Sequence, residues 1–425
     1  MHADIQNVFT PALAIGRSER FAGRQQQLDR LSMALQSQGT QIVIYGNRGV
    51  GKSSLARQLE GLARGDMTVI DRLRMKPLTT PDYLVISLEC DDTIPDVKTL
   101  VLRLLTDEAC LAPWIPFKVE KHTINNEAGF GATIKILSMN AKAASQETWV
   151  REEVESDIYT VFANAIQQIL DSGVVAGLLI IIDEVDRIRY RDELASLIRS
   201  RAADPRVKFA LVGVGTTPQE LILRHESISR QISDGCIEMP PMTEAELQEI
   251  FCNAEEALAQ DGIKFSEEAR DWIISIAKGH PYYVHLLGKH SLIDTVLMGE
   301  TVVSLATAKA TLAEIANKGT APVQEATYRK AIGQSYTREY IIKAFAKEDG
   351  EEINTSVVYP KIAAGRGMDT GPISVYVGHL VTDKHGAILE KTRERHYRFK
   401  DSLFKAYAAA RPFQFRPDQL ETDVV

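Results

Sequence analysis

The chain reads as an α/β protein: a parallel sheet sandwiched by helices, then a helical stretch, then a small module of three helices and a hairpin. Three observations carry this. Ile42-Val43-Ile44-Tyr45 is an apolar, β-branched run that ends on the glycine turn Gly46-Asn47-Arg48-Gly49-Val50-Gly51-Lys52-Ser53 and passes into helix-compatible residues from Ser54 to Ala63. Gly177 to Ile182 is an uninterrupted apolar run closed by Asp183-Glu184. Such a run is a strand covered on both faces, as in the middle of a parallel sheet. From Thr243 to about Lys318 the apolar spacing is almost all helical.

The glycine turn matches G-x-x-x-x-G-K-S/T at Gly46, Gly51, Lys52 and Ser53. Glycines let successive backbone N–H groups, from Asn47, Arg48, Gly49 and Val50 to Ser54, point at one phosphate chain without Cβ clashes. The helix that begins near Lys52 adds its positive end. Lys52 can reach the β- and γ-phosphates, and the Ser53 hydroxyl can ligate Mg²⁺. Without a ligand, the Lys52 side chain is expected to face solvent. The acids that close the second run would project into the crevice where α/β sheets bind ligands. Asp183 is the candidate Mg²⁺ ligand, directly or through water. Glu184 is the candidate base that orients and partly deprotonates an attacking water. Together the two motifs imply ATP and Mg²⁺ as cofactors and hydrolysis as the chemistry; a base of this kind contributes ~10²–10⁴-fold.

Composition sets bounds. With 425 residues the chain should hold two or three domains. It is 44% hydrophobic and 25% charged, which is ordinary for a globular protein. At a net charge of −8, no global field draws it to nucleic acid or anionic lipid, so such contact needs a local patch. Cys90, Cys110, Cys236 and Cys252 are scattered, which argues against a disulfide framework or zinc site and suits a reducing cytoplasm. The start, Met1-His2-Ala3-Asp4-Ile5, is no signal peptide, and no run approaches ~18 uncharged apolar residues, so a cytoplasmic location without a membrane span is expected.

The remaining elements follow in order. Arg20-Phe21-Ala22-Gly23-Arg24 precedes a helical pattern at Leu28, Leu31 and Leu35. A strand is expected over Gln41–Tyr45, another over Tyr83–Leu88, and a helix over Val97–Glu108. Residues 111–146 break this rhythm: 117–120 and 132–136 alternate around a polar turn, which suggests a β-hairpin insertion. Thr148 to Leu170 reads as one long helix, Asp192 to Ala203 as another, and Lys208–Gly215 as the next strand.

With these residues in place, the chain resembles AAA+ ATPases of the branch shared by archaeal origin-recognition or loader ATPases and STAND-type signalling ATPases, over about residues 17–410. The resemblance implies a P-loop (AAA+) parallel sheet, an all-α lid and a winged helix-turn-helix. The expected domains are a nucleotide-binding core over 1–240, the lid over 241–320, the winged module over 321–412 and a tail over 413–425. Phe21-Ala22-Gly23-Arg24 resembles the F-x-G-R box whose backbone borders the adenine. Thr216, with Thr217 as neighbour, falls at sensor 1, where many relatives carry Asn. Gly279-His280-Pro281 resembles the G-x-P motif of STAND ATPases, near the adenine on the lid; no sensor-2 arginine is expected there. Gly followed by Pro is also what an ordinary helix break needs. If subunits assemble, a neighbour's arginine finger is implied. Arg230 is the first choice, with Arg199, Arg201 and Arg224 in competition; such a finger contributes on the order of 10³–10⁵ in rate.

In the last module, helices are expected over Thr337–Ala346, Thr355–Ala363 and Pro372–Lys384. Ala387-Ile388-Leu389-Glu390-Lys391 and His396-Tyr397-Arg398-Phe399 then flank a charged tip, which resembles a winged helix-turn-helix. In a DNA-binding version the third helix enters the major groove and the wing touches the backbone. The candidates are Arg366, Ser374, Tyr376, His379, Lys384, Lys391, Arg393 and Arg395. Over Gln324–Pro412, 15 Lys/Arg stand against 11 Asp/Glu, a mild local excess of positive charge. Two functions therefore stay open. One is a STAND-like switch, plausibly in antiphage defence, whose nucleotide state gates homo-oligomer assembly and a separate effector protein. The other is a loader, transposition or replication-initiator relative that assembles on double-stranded DNA.

Overall fold

The computed structural model describes residues 5–72, 82–115, 117–124, 131–139, 149–152, 157–222, 228–318, 322–348 and 352–415. The chain divides into two compact units, Ala14–Gly46 with Lys52–Pro240, and Met1–Leu13 with Asn47–Gly51 and Pro241–Val425.

The first unit runs α1 (Gln25–Gln36), β1 (Ile42–Gly46), α2 (Lys52–Ala63), α3 (Thr68–Arg72), β2 (Tyr83–Glu89) and α4 (Val97–Thr106). An insertion holds β3 (Phe117–Ile124), β4 (Gly131–Met139) and β5 (Trp149–Glu152). Then come α5 (Ile158–Asp171), β6 (Gly177–Asp183), α6 (Leu194–Arg201), β7 (Val207–Val214), α7 (Pro218–Leu221), α8 (Ser229–Ile232) and β8 (Cys236–Met239). The five-stranded sheet has the order β2-β6-β7-β1-β8, parallel throughout. Along β6 every residue from Gly177 to Ile182 is buried and only Asp183 reaches partial exposure. The apolar core joins α4, α5 and α6 to β2, β6 and β7.

The insertion corrects one expectation. Thr148 to Leu170 is not one helix: Trp149–Glu152 is a strand, pairing antiparallel with β4 from Met139↔Trp149 to Ile136↔Glu152, and the helix begins at Ile158. Trp and Val favour extended backbone once a partner strand is present, and β4 supplies it. The expected hairpin is thus a three-stranded sheet, β3-β4-β5.

Lys208 on β7 is a second departure from the pattern. It is 1% exposed, yet charged. Its ammonium donates to the carbonyls of Ala34 (3.1 Å), Ser37 (2.6 Å) and Thr40 (3.1 Å), and so closes the carbonyl end of α1. Burial lowers it to about 8.

The second unit holds α9 (Glu244–Ala257), β9 (Lys264–Phe265), α10 (Glu267–Ala277), α11 (Pro281–Leu297), β10 (Val302–Val303) and α12 (Leu305–Lys318). Thr243 and Glu246 cap α9 reciprocally. Phe9, fully buried, stands edge-on to Phe251 (6.0 Å) and Phe265 (5.7 Å). Its ring fills the space that a Cβ on Gly288 would take, at 2.7 Å.

The last module follows: α13 (Pro322–Ile332), α14 (Tyr336–Lys347), β11 (Glu352–Asn354), α15 (Thr355–Arg366), α16 (Thr370–Leu380), β12 (Leu389–Arg393), β13 (His396–Phe399) and α17 (Ser402–Ala410). The small sheet has the order β11-β13-β12, so α14, α15 and α16 with this wing form a winged helix-turn-helix. α16 ends at Leu380 rather than Lys384. The Thr382 hydroxyl donates to the His379 carbonyl (2.7 Å), a local bond that competes with helix continuation.

Around the winged helices lies a buried polar cluster. Glu325 on α13 receives Arg411 Nε (2.8 Å) and NH2 (2.9 Å), Arg329 Nε (2.6 Å) and the Tyr407 hydroxyl. Glu339 on α14, 0% exposed, receives the Tyr328 hydroxyl (2.9 Å) and the backbone N–H groups of Gln414 (2.6 Å) and Phe415 (3.0 Å). Burial alone would raise the Glu325 carboxyl; the bonds from Arg411, Tyr407 and Arg329 outweigh it and bring it down to about 2.

Arg411→Ala would leave two buried carboxylates without their guanidinium, at an expected cost of about 3–5 kcal/mol in chemical unfolding of the full chain. Glu325 has a depressed value in the fold, so its contribution is full above the ordinary carboxyl value and is lost as pH falls from about 4 to about 2. Glu325→Gln should flatten acid destabilisation across that window; an unchanged acid limb would show that the cluster is not what titrates.

Candidate nucleotide site and winged module

The glycine turn starts where β1 stops. Gly46 has φ of 153°, and a Cβ there would stand 2.5 Å from the Met239 carbonyl oxygen on β8. Only glycine lets β1 and β8 pair to that point. Gly49 and Gly51 have φ of 79° and 98°, the left-handed turns that swing the chain into α2. Lys52 opens α2, but not as expected. It is 8% exposed, and its ammonium donates to the Gly46 carbonyl (3.1 Å). The first carbonyl of the loop is a ready acceptor once the loop has curled, so the side chain folds back over it instead of facing solvent.

Across the sheet, Asp183 ends β6. Its carboxylate accepts from the Glu184 N–H (2.8 Å) and from the Ser53 hydroxyl. Burial raises the Asp183 carboxyl; the Ser53 and Glu184 bonds oppose this, the Glu184 charge adds to it, and the Lys52 charge opposes it. Ser53 and Asp183, 130 positions apart in sequence, are therefore brought together as a pair of oxygen donors. Glu184 follows with φ of 52°, left-handed although not glycine. Its carboxylate pairs with Arg187 (2.9 Å), which also reaches Asp92 (3.1 Å). Asp186, which the motif reading passed over, accepts from the Val214 N–H (2.8 Å) and ties the exit of β6 to the end of β7.

Other expected site residues fall as follows. Phe21 and Arg24 are buried, and Gly23 and Arg24 are both left-handed (φ of 58° and 62°) just before α1. Thr216 is exposed at the end of β7, with its N–H (2.9 Å) and hydroxyl (2.6 Å) both given to Glu220. Gly279 has φ of 83°, and a Cβ on it would stand 2.5 Å from Pro241. His280 is buried and precedes Pro281, the first residue of α11. The loop 47–51 belongs to the same unit as Pro281, whose Cγ would lie 3.9 Å from a Cβ on Gly51. Arg230 is exposed on α8, and among the described residues its guanidinium makes no hydrogen bond or ion pair. Arg199 and Arg201 end α6, and Arg224 lies outside the described residues. The Ser54 hydroxyl accepts from Ile15 N–H (3.0 Å), and Gln58 bonds both Ser18 and Ile15. This lacing of the leading segment onto α2 carries no local sequence signal.

In the winged module, Arg366 lies over the Tyr336 ring (4.4 Å) and donates to Thr337 (3.0 Å), so it is engaged inside the module. Arg393 pairs with Glu352 (2.9 Å), and Arg395 turns the tip at φ of 59°, 4.0 Å from Glu394. Lys384 and Lys391 are exposed, with no ion pair among the described residues. The exposed residues of α16 are Thr370, Gly371, Pro372, Ser374, Val375 and Gly378, with Tyr376 and His379 half-buried, and the Ser374 hydroxyl is given to the Gly371 carbonyl (2.7 Å).

Residues 20–211 match the AAA ATPase domain family. Over 268 residues the chain is 25% identical to the ORC1-type DNA replication protein 15 of Haloarcula marismortui, covering 60% of this chain and 54% of that protein. It thus spans about half the length of that relative. Among solved structures it is similar to Cdc6p of Pyrobaculum aerophilum (TM-score 0.47, 12% identity, 95% of this chain and 96% of that one). The Aeropyrum pernix ORC1 protein in complex with DNA gives a TM-score of 0.47 at 15% identity, covering 95% of each chain. A Walker-type ATPase of Pyrococcus abyssi gives 0.48 at 14% identity, covering 94% of this chain and 99% of that one. Among the described residues no helix is long and apolar enough to cross a membrane.

Lys52→Ala removes the cation of the glycine turn, while the buried Gly46 carbonyl keeps the Gly215 N–H as a donor (3.4 Å). ATP affinity should fall by about 10²-fold, as for loss of a charge-assisted bond, while the melting curve keeps its cooperative form. Titration with a fluorescent ATP analogue checks this; tight binding by the folded variant would place the phosphates elsewhere.

Proposed function

We propose that the protein is a nucleotide-gated ATPase that engages double-stranded DNA, with an AAA core, a helical lid over 241–320 and a winged module over 321–412 as its working parts. The observation that carries this reading is the Ser53–Asp183 pair, which joins the first turn of α2 to the end of β6. Two hard oxygen donors, already within a hydrogen bond of each other and next to Lys52, fit Mg²⁺ held with nucleotide phosphates. When bound, Mg²⁺ acts as a Lewis acid that neutralises charge on the phosphates.

The chain's own residues do the rest. The backbone from Asn47 to Ser54 cradles the phosphates, and Lys52 exchanges the Gly46 carbonyl for a phosphate oxygen. Asp183 and Ser53 hold the ion. Glu184 takes a proton from the attacking water, for which its carboxylate has to turn from Arg187. Arg230, exposed and uncommitted, is the residue we assign to a neighbouring subunit's site in a homo-oligomer. The relative's description as a replication protein moves weight from the defence switch to the DNA-linked reading. One observation favours the other reading, a partner-gated switch with a separate effector: the exposed face of α16 carries no charged or amide side chain to read base edges.

Glu184→Gln keeps the shape and loses the base, so ATP should bind and persist with turnover down about 10²–10⁴-fold, whereas Asp183→Ala should weaken Mg²⁺-dependent binding itself. Arg230→Ala should abolish any rise of rate per subunit with protein concentration. Near-normal turnover by Glu184→Gln would move the base elsewhere.

If the wing touches duplex DNA, neutralising Lys391 and Arg395 together should weaken binding to all sequences alike. It should also flatten the dependence of log K on log salt by about two. Undetectable binding at low salt, with and without ATP, would leave the module as a protein docking unit.

A further inference from the structure

The wing carries its own counter-charge, and the way it does so is specific. Glu352 on β11 faces Arg398 on β13, and Arg398 faces Glu390 on β12. Directly opposed residues of antiparallel strands share a face, so the three form one row across the sheet. Arg398 is ion-paired with Glu390. Arg393, at the outer end of β12, reaches Glu352 with NH2–Oε2 at 2.9 Å. Thr392 and Arg393 beside it hold the Glu352 carboxyl below its ordinary value. Along 389–400 five Lys/Arg stand against two Glu, so the wing is basic and Glu352 comes to it from 41 positions away.

The Arg393 and Glu352 side chains are 65% and 40% exposed, so this pair does little for stability. What it does is occupy a guanidinium. A carboxylate offers two oxygens to the fork much as the two free oxygens of a phosphodiester do. By contrast, Arg395 and Glu394 are 4.0 Å apart at the tip with side chains 71% and 88% exposed, which leaves Arg395 loosely held.

We propose that Glu352 is an internal stand-in for a DNA phosphate: it occupies Arg393 and sets how tightly the wing grips the phosphodiester backbone of duplex DNA. The inference rests on the DNA reading above. To take a phosphate, Arg393 exchanges one anion for another, so the contact adds less affinity and releases less counterion than a free arginine would. The sequence-independent part of binding is thereby kept weak.

The test uses the full chain and anisotropy of a labelled duplex across a salt series. Glu352→Gln keeps a hydrogen-bond partner for Thr392 and removes the charge. It should tighten binding about 3- to 10-fold at ~0.1 M salt and steepen the salt dependence by about one, the value of one added phosphate contact. In an Arg393→Ala background the same substitution should gain nothing. A gain that survives there is a general charge effect and overturns the proposal, as does no gain with Arg393 present when the wild type binds. If neither the wild type nor Glu352→Gln binds duplex at low salt, the DNA reading falls and the stand-in falls with it.

Discussion

A strand buried on both faces can carry polar chemistry only where it leaves the core. β6 obeys this: six buried apolar positions, then Asp183. The site's position and its electrostatics both follow from that one constraint. Because Asp183 is only partly out of the core, its charge is costly, and it is kept by the Ser53 hydroxyl and by the N–H of the next residue. Ser53 can be there because β1 ends one turn earlier, and β1 can end there because Gly46 lets its backbone touch Met239. The two motifs that lie far apart in sequence thus meet at the carboxyl ends of interior strands of one sheet.

Elsewhere the chain places charge inside by the opposite device, complete enclosure by partners. Lys208 is surrounded by three carbonyls at the end of α1. Glu325 and Glu339 gather α13, α14, α17 and the residues beyond α17 around Arg411. Such clusters contribute less to net stability than apolar packing of the same volume would, but they accept only one arrangement. In the winged module this fixes α14, which also seats Arg366 through Tyr336 and Thr337.

Much of this was legible because the signals are local. The glycine turn, the apolar run before Asp183 and the helical spacing that sets in at Thr243 are each read from neighbouring residues. The winged helices were legible too, within a few residues at their ends. What escaped depends on partners far off in the chain. The Trp149–Glu152 strand exists because β4 is beside it. Lys52 turns inward because a carbonyl waits there. Arg411 meets Glu325 from 86 positions away, and nothing near either residue announces it. Arg366 looked like a surface cation and is instead a stacked one, since its neighbour in space is Tyr336.

Glu184 closes the account on a conflict within a single residue. Its backbone sits at φ of 52°, a conformation that costs a non-glycine residue roughly 1–2 kcal/mol. Glycine would relax that backbone and remove the carboxylate; asparagine would ease it and leave an amide. The residue that folds best at this position is therefore one that cannot act as a base. Under selection for heat tolerance alone, with no demand on turnover, this is a position where the chain would drift toward a sturdier and silent form. The role of base proposed for Glu184 is the reason we give for a carboxylate at this strained position.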